Sequence, residues 1–261
     1  MFDYHMHSKV SFDSTEYARD MVAAAERAGL REICFTDHYD VNEPNILKSN
    51  LFDLEDYAAE LDPLVSDKLK IRRGVELGIT QTNKKQLDSF LSARDFDFVI
   101  GSVHYIGKYD IYREEYWKSR STEQAFVQYL EHTLRCVRAY DNFDVLGHLT
   151  YASKSAYNAE HAKILYSDHR DICDEIMYTL AQKGKGMEIN TSGVDRVGAF
   201  LPEREFIARF RELGGEIITV GSDAHDTSRV GQYIDGALEI ARDTFGYVCT
   251  FEGRKPIYHK L

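Results

Sequence analysis

The segment Phe2 to His7 carries two imidazoles two residues apart, His5 and His7. In an extended strand such residues project from the same face. Two imidazoles side by side suggest a metal, but alone the pair is a weak signal, because one core and one surface histidine would look the same. Five later segments repeat the arrangement, each a short apolar run ending in His, Asp or Glu. They run from Ile33 to His38, Ile71 to Glu76, Phe98 to His104, Val145 to His148, and Ile217 through Asp223 to His225. Imidazole and carboxylate donors converging from several strand ends suit Zn, Fe or Mn, and the sequence does not choose among them. Parity supports the grouping. Glu76 shares its strand face with Gly74 and Gly78, His104 with Ser102, and Asp223 and His225 with Gly221 and Thr219, so small residues leave room for ions beside the candidate ligands.

Other chemistry-bearing residues read both ways. Asp13 follows the first strand and is either a ligand or a carboxylate at a helix start. Asp37 has parity opposite to His38 and reads as a supporting or turn group. His132, His161, His169 and His259 have no partners in the pattern and read as solvated surface. Tyr105, Tyr109, Tyr112, Tyr116 and Trp117 lie in one aromatic loop that covers either the site or simply the end of the fold. Lys154 and Arg196 are candidate phosphate clamps or ordinary surface cations.

These residues need strands that all end in one place. After the first strand, Ser14 is a candidate N-cap for a helix that stops at Gly29. Strands are expected at 32–36, 71–77, 96–103, 143–147, 186–190 and 216–221. Helices are expected at 53–64, 83–93, 122–140, 166–182, from Pro202 to Leu213, and at 234–245. Pro44 and several asparagines mark a long loop, residues 105–120 and 150–162 mark two more, and 247–251 is a doubtful further strand. Strands alternating with amphipathic helices call for a parallel sheet covered by helices. Bringing the polar strand ends close enough to share metals calls for that sheet to close into a barrel, with the site at the C-terminal face. No repeat or linker interrupts the pattern, so residues 1–261 read as one domain.

Composition narrows the function. Four cysteines, Cys34, Cys136, Cys173 and Cys249, lie far apart with no CxxC pair, so reduced thiols are expected and zinc-ribbon or redox motifs are not. The first residues already form a ligand-bearing strand, which leaves no room for a signal peptide, and no apolar run approaches membrane-spanning length. A cytoplasmic protein with no membrane partner is expected. The formal net charge of -11 argues against a nucleic-acid surface, which needs clustered Lys and Arg. A small anionic substrate fits, since three divalent ions outweigh the charges of Asp13, Glu76 and Asp223. The oligomeric state is left open, a homo-oligomer included.

Together, HxH at the first strand, Thr36-Asp37-His38 after the second, Glu76, Gly101-Ser102-Val103-His104, Gly147-His148 and Ser222-Asp223-Ala224-His225 resemble the polymerase and histidinol phosphatase (PHP) family, in its stand-alone histidinol-phosphatase branch. The resemblance spans nearly the whole chain in the family's motif order. It implies a distorted seven-stranded, TIM-like (β/α) barrel holding three divalent ions. By it, His5, His7, Glu76 and Asp223 would hold the first, Glu76, His104 and His148 the second, and His38 and His225 the third. Many members place another His shortly after HxH; here Asp13 is the available oxygen ligand. The implied activity is hydrolysis of L-histidinol phosphate in histidine biosynthesis. A hydroxide bridging two ions would attack phosphorus, with Glu76, His104 and Asp223 as the catalytic core. Competing readings are action on another phosphomonoester or nucleotide, a metal-dependent amide hydrolase, and a non-catalytic metal-stabilised scaffold.

Overall fold

Seven parallel strands carry the architecture among the described residues: β1 (Phe2–Met6), β2 (Glu32–Phe35), β3 (Lys70–Gly78), β4 (Phe98–Ser102), β5 (Val145–Leu146), β6 (Gly186–Asn190) and β7 (Ile218–Gly221). The structure is a computed structural model and describes residues 1–41, 50–155, 158 and 161–261. Pro44 and its neighbouring asparagines, expected in a loop, lie outside the described residues.

Spatial order follows sequence order from β1 to β7, the pattern of successive right-handed crossovers. The last and first strands then meet. Asp223 N donates to the His5 carbonyl and His7 N to the Ala224 carbonyl, each at 2.8 Å, and Met6 bridges Ala224 in parallel. The sheet is therefore a nearly closed seven-stranded barrel, as expected. A longer helix follows each strand: α1 (Ala18–Arg27), α2 (Leu54–Leu61), α3 (Lys84–Ser92), α4 (Thr122–Ala139), α5 (Arg170–Gln182), α6 (Arg204–Glu212) and α7 (Ile234–Thr244). Local chemistry sets their ends. Asp53 caps α2 by accepting from Glu55 N at 2.7 Å, and Ser121 and Gln124 form a reciprocal capping box on α4. Gly29, at a φ of 69°, ends α1 in the left-handed conformation that only glycine adopts without cost. No described helix is long and apolar enough to cross a membrane.

Several boundaries differ from expectation. Ser14 does not cap α1; Tyr17 occupies the N-cap. Pro202 precedes α6 rather than opening it, with Glu203 at the N-cap. The aromatic loop is not featureless. It folds as a small hairpin, Tyr105–Ile106 against Tyr109–Asp110, followed by a short helix at Glu114–Trp117. Residues 247–251 do form a strand, yet it lies outside the barrel order, paired antiparallel with the tail as β8 (Tyr247–Glu252) and β9 (Lys255–Lys260). That hairpin plugs the N-terminal end of the barrel, where Phe251 packs on Phe98 with ring centroids 4.7 Å apart.

Two of the four histidines expected at the surface are buried, His132 and His169. His132 sits on the face of α4 that also buries Thr133, Tyr129 and Cys136, and burial, aided by Arg135, pushes its pKa down to about 4. His169 occupies the N-cap of α5. Only His161 is exposed, with His259 half-buried on the tail strand.

Candidate metal centre and substrate cavity

A closed parallel barrel gathers strand ends, and the candidate ligands follow from that geometry. His5 is on β1 and His7 just beyond it, His38 follows β2, and Glu76 lies near the end of β3. His104, His148, and Asp223 with His225 follow β4, β5 and β7.

Glu76 is the hub, with no solvent exposure. Its Oε1 accepts from Ser102 Oγ at 2.6 Å and lies 2.8 Å from His148 Nε2 and 3.3 Å from His104 Nε2. Its Oε2 faces His38 Nδ1 at 2.9 Å, His5 Nε2 at 3.1 Å and His7 Nε2 at 3.6 Å. Asp223 Oδ1 lies 3.3 Å from His7 Nε2 and 3.6 Å from His5 Nε2. Asp13 Oδ2 approaches His225 Nε2 at 3.2 Å and His38 Nε2 at 3.6 Å. All nine candidate ligands are thus brought together. Asp13 is the rim member, its side chain 37% exposed. Ser14 Oγ donates to the His225 carbonyl at 2.9 Å and ties the Asp13 loop to the end of β7.

The far side of each imidazole decides what the near side can do. Ser11 Oγ donates to Asp37 at 2.9 Å and accepts from His38 N at 2.9 Å, so its contact with His7 Nδ1, also 2.9 Å, requires the imidazole to donate. His5 Nδ1 donates to Glu188 Oε1 at 2.6 Å, His104 Nδ1 lies 3.2 Å from both Asp40 oxygens, and His225 Nδ1 donates to the Asp223 carbonyl at 2.9 Å. In all four the neutral ring carries its proton on Nδ1, so a ring that gives up its second proton turns a free Nε2 lone pair toward the cluster. The buried Nε2 atoms of His5, His7 and His104, with His38 Nδ1 and Glu76 Oε2, make no hydrogen bond. Buried polar atoms are normally paired; a cluster of unpaired lone pairs facing a carboxylate is what a cation satisfies. The donor set is that of a divalent-metal site, and the residues present fit it.

Asp223 adopts a φ of 56°, a left-handed conformation that costs on the order of 1 kcal/mol outside glycine. It turns the carboxylate inward while its carbonyl holds His225. The charges are mutually dependent. Burial works against the Glu76 carboxylate, but His5, His38 and His104 outweigh it and hold its pKa well below the ordinary value. Burial likewise opposes charge on His104, and Asp40 with Glu76 raises it to about 9. His7, stacked between His38 and His225 at centroid distances of 4.3 and 4.0 Å, is pushed well down by burial and by those two imidazoles. Asp37 reads as the supporting group expected, held by Ser8 N at 2.6 Å and raised to about 6 by burial.

The small residues have a different role from the one expected. A side chain at Gly78 would strike the Asp40 carboxylate, and one at Gly221 would strike His5 and Glu188. The space beside the ligands is filled by the carboxylates that orient them. Glu188, Asp40 and Ser11 escaped the sequence reading. Glu188 had a usable signal, a lone carboxylate between the apolar Met187 and Ile189 on the one strand to which no ligand had been assigned.

Above the cluster opens a cavity of about 390 Å³ whose lining includes Tyr112, Tyr151, Lys154, Ser192, Arg196 and Arg229. Lys154 Nζ donates to Asp223 Oδ2 at 2.6 Å and to Ser192 Oγ at 2.9 Å. Arg196 stands 6.0 Å over the Tyr112 ring with no ion pair among the described residues. Arg229 pairs with Asp195 at 2.7 Å. The aromatic segment divides: Tyr112 lines the cavity, whereas Tyr116 and Trp117 are buried and donate to the carbonyls of Ala125 and Ile111.

Known proteins resemble this chain in sequence and in fold. The sequence model of the PHP domain matches residues 3–192. The histidinol-phosphatase of Lactococcus lactis subsp. lactis is 35% identical over 258 residues, covering 97% of this chain and 95% of the relative. The "Probable histidinol-phosphatase" of Clostridium acetobutylicum is 31% identical, with 93% of each covered. The crystal structure of the Lactococcus lactis histidinol phosphate phosphatase complexed with Zn, L-histidinol and phosphate superposes with a TM-score of 0.90 at 35% identity over 98% of both chains. With its barrel, its strand-end donors and these relatives agreeing over nearly the full length, the chain belongs to the PHP-domain family.

Proposed function

We propose that the chain is a metal-dependent phosphomonoesterase that hydrolyses L-histidinol phosphate to L-histidinol and phosphate, working as one barrel domain over residues 1–261. The observation that carries this reading is the set of buried, unpaired imidazole and carboxylate atoms around Glu76, lying beneath a cavity that offers Lys154 and Arg196. The similarity to a phosphatase crystallised with Zn, L-histidinol and phosphate supports the substrate.

Three divalent ions are proposed, held by His5, His7, Glu76 and Asp223, by Glu76, His104 and His148, and by Asp13, His38 and His225. Bound there, divalent ions supply positive charge for phosphoryl oxygens and a water acidic enough to act as nucleophile near neutral pH. Glu76 reaches two groups of imidazoles with its two oxygens and fixes their spacing. Lys154 holds Asp223 in place from the substrate side, and its ammonium, with the Arg196 guanidinium, presents positive charge to a phosphate at the mouth. Tyr112 and Tyr151 provide aromatic walls that narrow access of water. The reading places the chain in the cytoplasm, in keeping with four buried, unpaired cysteines.

The test is phosphate release by metal-reconstituted protein from L-histidinol phosphate, nucleoside monophosphates, sugar phosphates and phosphoserine. A marked kcat/KM preference for histidinol phosphate, abolished in Glu76→Ala, is expected. Preference for another ester would discard the substrate while keeping the site, and metal-loaded protein inert on the whole panel would overturn the phosphatase reading.

A further inference from the structure

Glu188 is buried within the barrel, 1% exposed, on the strand that contributes no candidate ligand. Its carboxylate is fully engaged. Oε1 accepts from His5 Nδ1 at 2.6 Å, and Oε2 accepts from the His148 backbone N at 2.9 Å and from Asn190 Nδ2 at 3.1 Å. The neighbouring β7 is cleared for it: a side chain at Gly221 would strike Glu188 Oε1. A carboxylate taken from water into a barrel interior costs several kcal/mol unless its lone pairs are used. Two of these three donors belong to residues of the candidate metal centre, and none is one of the fold's own ion pairs.

We propose that Glu188 is a positioning residue for the metal centre. It fixes His5 in the Nδ1–H tautomer with Nε2 turned toward Glu76 and Asp223, and holds the β5 end so that His148 meets Glu76 from the other side. One carboxylate thereby sets the placement of a donor in each of two neighbouring ion positions. Asp40 does the same for His104 alone, and a neutral hydroxyl serves His7. Hydrogen bonding to an anion makes an imidazole the stronger donor, so the centre's grip depends most on Glu188. This rests on the metal-holding part of the function proposed above and not on the substrate.

The experiment compares the wild type with Glu188→Gln, which keeps the shape and removes the charge, and with Glu188→Asp. Metal affinity is read by competition with a chromophoric chelator for Zn, without substrate, and the melting of metal-stripped protein is followed in parallel. Glu188→Gln is expected to weaken retention of the tighter ions about 10–100-fold, with metal-stripped melting close to wild type. Activity should return in part at excess metal, and Glu188→Asp should recover part of the affinity. Wild-type affinity in Glu188→Gln, or lowered melting with unchanged affinity, would overturn the proposal. Histidine ¹⁵N spectra of the Zn-loaded wild type give a check that needs no variant: His5 should carry its proton on Nδ1, and a proton on Nε2 would overturn it. A protein inactive on histidinol phosphate would leave both readouts intact.

Discussion

The two ends of the barrel bury carboxylates in equal earnest and use them oppositely. At the N-terminal end, Tyr4 OH donates to Glu32 at 2.5 Å and accepts from Phe251 N at 3.0 Å. Arg72 joins Glu32 at 2.8 Å to Glu252 at 2.7 Å, and Arg254 meets Asp144 at 2.6 Å. Arginine and phenol donors occupy Glu32 Oε1 and an arginine occupies Asp144 Oδ2, and both carboxylates are buried beside the β8–β9 hairpin. At the C-terminal end the carboxylates of Glu76 and Asp223 face imidazoles whose lone pairs point back at them. A guanidinium brings its own protons and charge and closes a carboxylate's chemistry. An imidazole can release its second proton and become an acceptor, so an imidazole–carboxylate cluster can exchange its protons for a cation. The partner, not the burial, decides whether a buried carboxylate is structure or site.

The same substitution at both ends tests that contrast most severely. Glu76→Gln should cut kcat/KM thousandfold or more, since the site loses several kcal/mol of charge stabilisation. Glu32→Gln should leave kcat/KM within about twofold and cost about 1–3 kcal/mol in denaturant unfolding. Equal effects on activity would break the comparison. Phe251→Ala should destabilise by about 3–5 kcal/mol through the cavity it opens, with chelator competition for metal unchanged; weakened metal binding would show that the plug and the site are coupled.

Smaller effects sharpen the contrast. Among the imidazoles His104 is raised from 6.5 to about 9, with burial outweighed by Asp40 and Glu76. A folded-state pKa above the unfolded one means stability that is full below about 6.5 and lost as pH rises through about 9, on the order of 3 kcal/mol. Metal-stripped protein should therefore melt lower with rising pH across that window, and metal-loaded protein should not. The same decline with metal bound would move its origin away from this end. Smallest, Arg254→Ala leaves Asp144 buried without its guanidinium and, with that arginine partly in solvent, should cost about 1–2 kcal/mol while activity holds.

Much was written locally. The order of strands and helices, and the donors at the strand ends, could be read because a strand's two-residue period and a ligand's chemistry are properties of a few neighbouring residues. His5, Glu76, His104, His148 and Asp223 each announce themselves as a polar group ending an apolar run. The hairpin in the aromatic segment and the burial of His132 and His169 escaped, because each depends on what packs against it.

What only the tertiary structure decided is which groups meet. Alternation puts Tyr4 and His5 on opposite faces of β1. The register with β2 is irregular between Asp3 and Met6, and both side chains reach groups beyond the adjacent strands, Tyr4 the Phe98 ring as well as Glu32 on β2, and His5 the carboxylates of Glu76 and Glu188. Such a bulge re-aims a side chain beside a site. Glu188 is 183 residues from His5 in sequence. The sequence by itself determined that the chain would carry imidazoles and carboxylates at the ends of parallel strands. Barrel closure decided which carboxylate orients which imidazole, because that pairing depends on distances across the barrel that no local pattern encodes.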